Sequence, residues 1–121
     1  RNADLKLVRN RQANKMARAR LKKADRLRKS EDLGKFYEEI GKAIWGYLSD
    51  KLNIETSMLS GEVVTDQLNK QQLSGSLQEE FLRILDESEF SRFAPSSEKT
   101  DVDQLYSDAA SLIRNLENKL K

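Results

Sequence analysis

The chain has 121 residues, 37% of them hydrophobic and 35% charged, a balance that suits one small domain of amphipathic helices with wide hydrated faces. It contains no Cys and no His, which excludes a disulfide framework, a thiol nucleophile and the usual zinc-ligand sets, and removes the usual general base near neutral pH. The net charge of +2 conceals a division: residues 1–29 hold twelve cations and two acids, a net of +10, and residues 30–121 carry a net of −8.

Residues 3–29 read as one long helix without Gly or Pro. Ala13, Met16, Ala17, Leu21, Ala24 and Leu27 form a narrow stripe suited to packing on one neighbour, with Arg11, Lys15, Arg18, Lys22, Arg26 and Lys29 opposite. Leu5 and Val8 fall off that stripe, so the first dozen residues are expected to be exposed or frayed. The chain starts at Arg1 without Met and inside a predicted helix, which points to a piece of a longer protein. No signal peptide and no apolar run of ~18 residues is visible.

The stretch from Phe36 to Ile54 is the expected centre of the fold. Leu33, Phe36, Tyr37, Ile40, Ile44, Tyr47 and Leu48 recur at three- and four-residue steps, so a helix buries them on one face. Trp45 adds a fourth aromatic to this helix, and Glu38, Glu39, Lys42, Ser49 and Asp50 take the other side. Ser30 is its expected N-cap. Gly34 and Gly41 share a face beside Trp45, where small residues would let the Ala stripe approach closely in an antiparallel hairpin.

Ser60 is expected to cap a short helix over about 61–72, with Val64 and Leu68 inward. Ser76 with Glu79 matches a capping box, opening a helix to about Phe93 with Leu77, Phe81, Ile84, Leu85 and Ser88 on one face, which Pro95 ends after the Ser74-Gly-Ser punctuation before it. Residues 96–99 read as loop. Thr100 is the expected cap of a last helix with Leu105, Ala109, Leu112, Ile113, Leu116 and Leu120 inward. The fold class is therefore all-α, about five helices, divided by charge into a basic helix at 1–29 and a helical interaction domain at 30–121.

The chemistry-bearing patterns are sparse. The cations Arg9, Arg11, Lys15, Arg18, Lys22 and Arg26 could meet an anionic membrane surface beside a span or nucleic-acid phosphates, or simply be a solvated face. The membrane-side position is the preferred reading, since no aromatic residues interleave the cations for stacking on bases. Residues 52–68 have a helix-turn-helix cadence, but its second helix sets Glu62 and Asp66 against Lys70 alone, which would repel phosphates. Nucleic acid is thus an unlikely partner, and a nucleic-acid-binding helical domain stays as the alternative function. Asp101-Val-Asp103 lacks the Gly and distal Glu of a calcium loop, and no nucleophile–base pair can be assembled, so neither an enzyme nor a cofactor is expected. Glu89 and Arg92 stand three apart, either as a surface pair or as a half-buried pair fixing the turn into the last helix.

Four segments together resemble a family: Ala13-Asn-Lys-Met-Ala-Arg-Ala-Arg-Leu-Lys-Lys-Ala24, Phe36-Tyr-Glu-Glu-Ile-Gly-Lys-Ala-Ile-Trp-Gly-Tyr-Leu-Ser-Asp-Lys-Leu-Asn-Ile54, Leu59-Ser60 and Glu89-Phe-Ser-Arg-Phe-Ala-Pro95. They are similar, over about residues 11–95, to the C-terminal cytoplasmic region of BatD, the aerotolerance (oxygen-tolerance) proteins. Ser88 and Ser91 stand where Cys and Ala are expected, small exchanges that keep the packing. The resemblance implies a helical module on the cytoplasmic side of the bacterial inner membrane, in a membrane-anchored stress-response protein that works with MoxR-type AAA+ ATPases and von Willebrand factor A domain proteins. It carries over no catalytic residues. With the basic segment held to an anionic leaflet, Glu38, Glu39, Glu62 and Asp66 become the expected protein-partner face.

Overall fold

The computed structural model describes residues 2–73, 75–95 and 101–120, with side chains from Asp4 onward. Five α-helices follow one another among the described residues: α1 (Asn2–Arg28), α2 (Leu33–Leu52), α3 (Gly61–Lys70), α4 (Gly75–Phe93) and α5 (Val102–Lys119). A 3-10 turn at Thr56–Met58 joins α2 to α3, and no strand occurs among the described residues.

Helix α2 is the element the others pack on. Phe36, Tyr37, Ile40, Ala43, Ile44, Tyr47 and Leu48 are all buried, because their three- and four-residue spacing puts them on one broad face. Trp45 is half-buried at the edge of that face and meets Phe81 of α4 edge-on, with centroids 5.7 Å apart. The helix stops at Asn53, whose left-handed φ of 56° lets the chain turn.

Helix α1 lies antiparallel on α2: Arg9 binds Asp50 at 3.0 Å, Asn10 donates to the Lys51 carbonyl at 2.9 Å, and Lys23 reaches Glu39 at 3.6 Å. Its Ala13, Ala17, Leu21 and Ala24 are buried in the same core as α2, α4 and α5, so residue 29 marks a change of charge and not of core. Met16, placed on the stripe by spacing, is 43% exposed at its edge. Leu5, Leu7 and Val8 are exposed as expected, yet the segment is helical and docks from Arg9 onward, earlier than the stripe suggests.

The expected glycine contact is not how the hairpin closes. Gly34 faces the end of α4, where an added Cβ would lie 4.0 Å from the Arg92 carbonyl, and a Cβ on Gly41 would meet nothing within 4 Å. Gly46 is the close approach to α1, with Arg20 against it. Three caps also differ from expectation. Asp32 caps α2 by accepting from the Lys35 N–H at 3.2 Å, while Ser30 donates its hydroxyl to the Leu27 carbonyl at the end of α1. Asp101 caps α5, and Thr100, Ser74 and residues 96–99 fall outside the described residues. Helix α4 already begins at Gly75, which puts Ser76 in its first turn. Ser60 caps α3 as expected, accepting from Val63 at 3.1 Å.

Helices α4 and α5 bury the residues that their periodicity selects: Phe81, Ile84 and Ser88 from α4, and Leu105, Ala109, Leu112, Ile113 and Leu116 from α5, with Leu120 just beyond. Leu77 and Leu85 are half-buried beside them. The two serines that depart from the family resemblance are both buried, Ser88 donating to the Leu85 carbonyl at 2.9 Å and Ser91 hydrogen-bonded to Tyr37. Pro95 lies exposed, two residues past the end of α4.

Polar ties hold α5 in place. The Tyr47 hydroxyl donates to Glu117 at 2.8 Å and buried Lys51 reaches the same carboxylate at 3.3 Å. Arg28 of α1 bridges Asp25 and Asp103 and stacks over Tyr106, and Arg83 of α4 gathers Glu80, Glu87 and Asp108.

Two outcomes are expected. Ile44→Ala removes a fully buried side chain from the centre of α2 and lowers the unfolding free energy by ~2–5 kcal/mol in urea denaturation. An unchanged midpoint would mean that Ile44 is not central to the core. Burial, followed by the hydrogen bond to Glu117 and its charge, raises the Tyr47 phenol far above its ordinary value. A folded state that holds this proton more tightly than the unfolded chain loses stability as pH climbs past the unfolded value of ~10. The fall between about pH 10 and 11 is accordingly shallower in Tyr47→Phe, read from urea midpoints at each pH.

Candidate functional site

Two surfaces stand out when each charge is matched with its partner. The first is the outer face of α1. Arg11, Lys15, Arg18, Lys22 and Arg26 are exposed and make no ion pair among the described residues. Their spacing of three and four residues turns them to the side opposite the buried Ala stripe, over about 22 Å of helix from Arg11 to Arg26. The first four line a shallow depression of about 620 Å³ where α1 meets α5, with Glu117 the acid on its margin, already bound to Tyr47 and Lys51. Arg114 of α5 adds a further cation beside Arg18 and Lys22. Arg9 departs from the expected set: its guanidinium is committed to Asp50 and Ser49.

The expected acidic face does not assemble. Glu39 is buried, its carboxylate held between Lys23 at 3.6 Å and Lys42 at 3.5 Å. Glu38 turns instead to α4 and receives Arg92 at 3.4 Å. Glu62 and Asp66 are exposed on α3, with Asp66 paired to Lys70 at 3.5 Å. Neighbouring positions on one helix point about 100° apart, so Glu38 and Glu39 serve different interfaces. Arg92 likewise leaves Glu89, its expected partner, exposed; it binds Glu38 and lies over the Phe93 ring. Phe90 and Phe93 are themselves exposed at the end of α4.

The second surface was not anticipated. Arg20, Trp45 and Gly46 share a cleft of about 660 Å³ between α1, α2 and α4, lined also by Leu85 and Thr56. The Arg20 guanidinium lies so close to Gly46 that its Nη1 fills the space a Cβ there would need. That nitrogen is buried without a hydrogen-bond partner, and Arg20 makes no ion pair among the described residues. A guanidinium cannot shed its charge to relieve this, and an unmet buried donor costs ~1–3 kcal/mol. Spacing holds the signal that could have found it. Arg20 sits three residues after Ala17 and four before Ala24, at the edge of the buried stripe, where a charge needs a reason.

Compared with protein-family models, with curated proteins and with solved structures, the chain finds no match in any of the three. No described helix is long and apolar enough to cross a membrane.

The unmet guanidinium makes a stability prediction. Arg20→Met keeps the apolar stem and removes the unpartnered charge, and raises the unfolding free energy by about 1 kcal/mol in urea denaturation. A loss of similar size would mean that contacts with the charged group stabilise the hairpin.

Proposed function

We propose that this chain is the helical interaction module of a BatD-like aerotolerance protein, lying at the cytoplasmic face of the bacterial inner membrane. The observation that carries the reading is the run Arg11, Lys15, Arg18, Lys22 and Arg26, without an acidic partner among the described residues, in a protein whose other arginines on α1 and α4 are mostly bridged to acids. Cations kept clear of intramolecular acids retain their full attraction for an anionic surface, worth about 1 kcal/mol each near anionic lipid. The family resemblance supports the setting, in which the basic helix comes first and the acidic helices follow.

Partners of the MoxR-type AAA+ and von Willebrand factor A classes would meet what α3 and α4 offer. Those helices carry exposed Glu62 and Asp66 and the exposed rings of Phe90 and Phe93. Aromatic residues are enriched at the centre of protein contacts, with charged residues at the rim. Glu38 and Glu39, committed within the fold, are left out of that face.

Vesicle co-sedimentation tests the membrane half. The whole chain should bind vesicles containing phosphatidylserine or phosphatidylglycerol and not neutral ones. Changing Arg11, Lys15, Arg18 and Lys22 together to Gln should weaken binding by about 4 kcal/mol, roughly a thousandfold. Removing residues 1–29 is not an equivalent test, since it strips Ala13, Ala17, Leu21 and Ala24 from the core. Indifference to anionic lipid would overturn the reading, and tight salt-dependent binding to duplex DNA in its place would favour the nucleic-acid alternative.

A further inference from the structure

The Arg20 cleft belongs to a different side of α1 from the basic run, and the membrane reading makes no use of it. We propose that it receives a peptide segment of a protein partner through one carboxylate, taken up by the Arg20 guanidinium while the segment's apolar side chains pack on Trp45 and Leu85.

Charge complementarity points to the carboxylate. Arg9, Arg28, Arg83 and Arg92 each reach an acid, whereas Arg20 reaches none among the described residues; its Nη1 is shut against Gly46, which leaves Nε and Nη2 for a group that enters the cleft. A guanidinium matches a carboxylate with two parallel N–H donors, so one acidic group would use the fork that the fold leaves idle. The same cleft is lined by Glu38, Asp86 and Glu89 and by Lys42 and Arg92, with Arg92 tied to Glu38 and Lys42 to Glu39. Asp86 and Glu89, without a cation among the described residues, disfavour phosphate or a nucleotide, which bring more charge than the one carboxylate that Arg20 can match.

Shape points to a peptide. The α2 side of the cleft runs from Tyr37 to Gly46, nine helical steps or about 14 Å. A groove of that length suits about four extended residues better than a compact metabolite. Gly41 stands midway with open space where a side chain would be, so a backbone can approach α2 there. Trp45, half-buried and steadied by Phe81, supplies an apolar wall beside the guanidinium.

Trp45 is the single Trp of the chain, so its indole N–H gives one resonance that reports on the cleft. The probe is the capped peptide Ac-Leu-Glu-Leu-NH2, titrated into the ¹⁵N-labelled 121-residue protein alongside Ac-Leu-Gln-Leu-NH2, glutarate and inorganic phosphate. The glutamate peptide should move the indole resonance saturably in roughly the millimolar range. The glutamine peptide should bind at least about tenfold more weakly, the loss expected for one charge-assisted contact. Glutarate, a free dicarboxylate without apolar flanks, should be weaker than the glutamate peptide. Arg20→Met should abolish the preference for glutamate over glutamine, and Arg20→Lys, which keeps the charge without the fork, should reduce it. The variant with Gln at positions 11, 15, 18 and 22 should bind the peptide unchanged, since that run lies outside the cleft. Equal binding of the two peptides, tighter binding of phosphate or glutarate, an unaltered preference in Arg20→Met, or loss of binding in the four-Gln variant would each overturn the proposal.

Discussion

Everything in this fold follows from laying α1 antiparallel along α2. Ala13, Ala17 and Ala24 bring almost no side-chain bulk to that seam, so the two backbones come close and the aromatic face of α2 stays free for α4 and α5. A helix carrying ten cations in 27 residues could not otherwise share a core. Its small residues go inward, its long cations outward, and the 3.6-residue repeat keeps the two sets apart. The cationic outer face is thus a by-product of the seam as much as a feature in its own right.

The charges sort into those the fold employs and those it leaves alone. Lys51 and Glu117 sit with Tyr47 where α2 meets α5, and Glu39 sits between Lys23 and Lys42 where α1 meets α2. A buried carboxylate without such neighbours would carry a large desolvation cost, so these groups are tied to their positions. Surface pairs such as Asp66 with Lys70 add little stability and restrict little. Against that background, five open cations on α1 and one half-enclosed arginine beside Trp45 are among the groups whose chemistry the fold does not consume.

Membrane contact and peptide capture would act on different sides of the same helix. Cations facing outward on α1 would meet a planar charged surface without rearrangement, because they already extend into solvent. Arg20 faces the other way and is held against Gly46, where it can act only on something that enters the cleft. Tethering by one side would leave the other accessible, and the rigid hairpin between them sets their relative orientation.

Periodicity in the sequence was enough to identify the all-α class, the central place of α2 and the inward faces of α2, α4 and α5. A helical repeat of apolar residues allows only one face to be buried. Ser60 was also legible, since a cap depends on the few residues that follow it. Local rules could not decide between near-equivalent neighbours. Asp32 and Asp101 took the cap positions in place of Ser30 and Thr100, a shift of one or two residues that side-chain chemistry alone does not resolve. Pairing across helices lay further out of reach. Glu38 with Arg92, Glu39 with Lys23 and Arg9 with Asp50 each depend on where a second helix lies, and so does the emptiness around Arg20. The sequence by itself determined which residues share a face, because that is set by rotation about one helix axis. Only the tertiary structure decided which charges meet and which are left unmatched, because that depends on the offset and tilt between helices far apart in the chain.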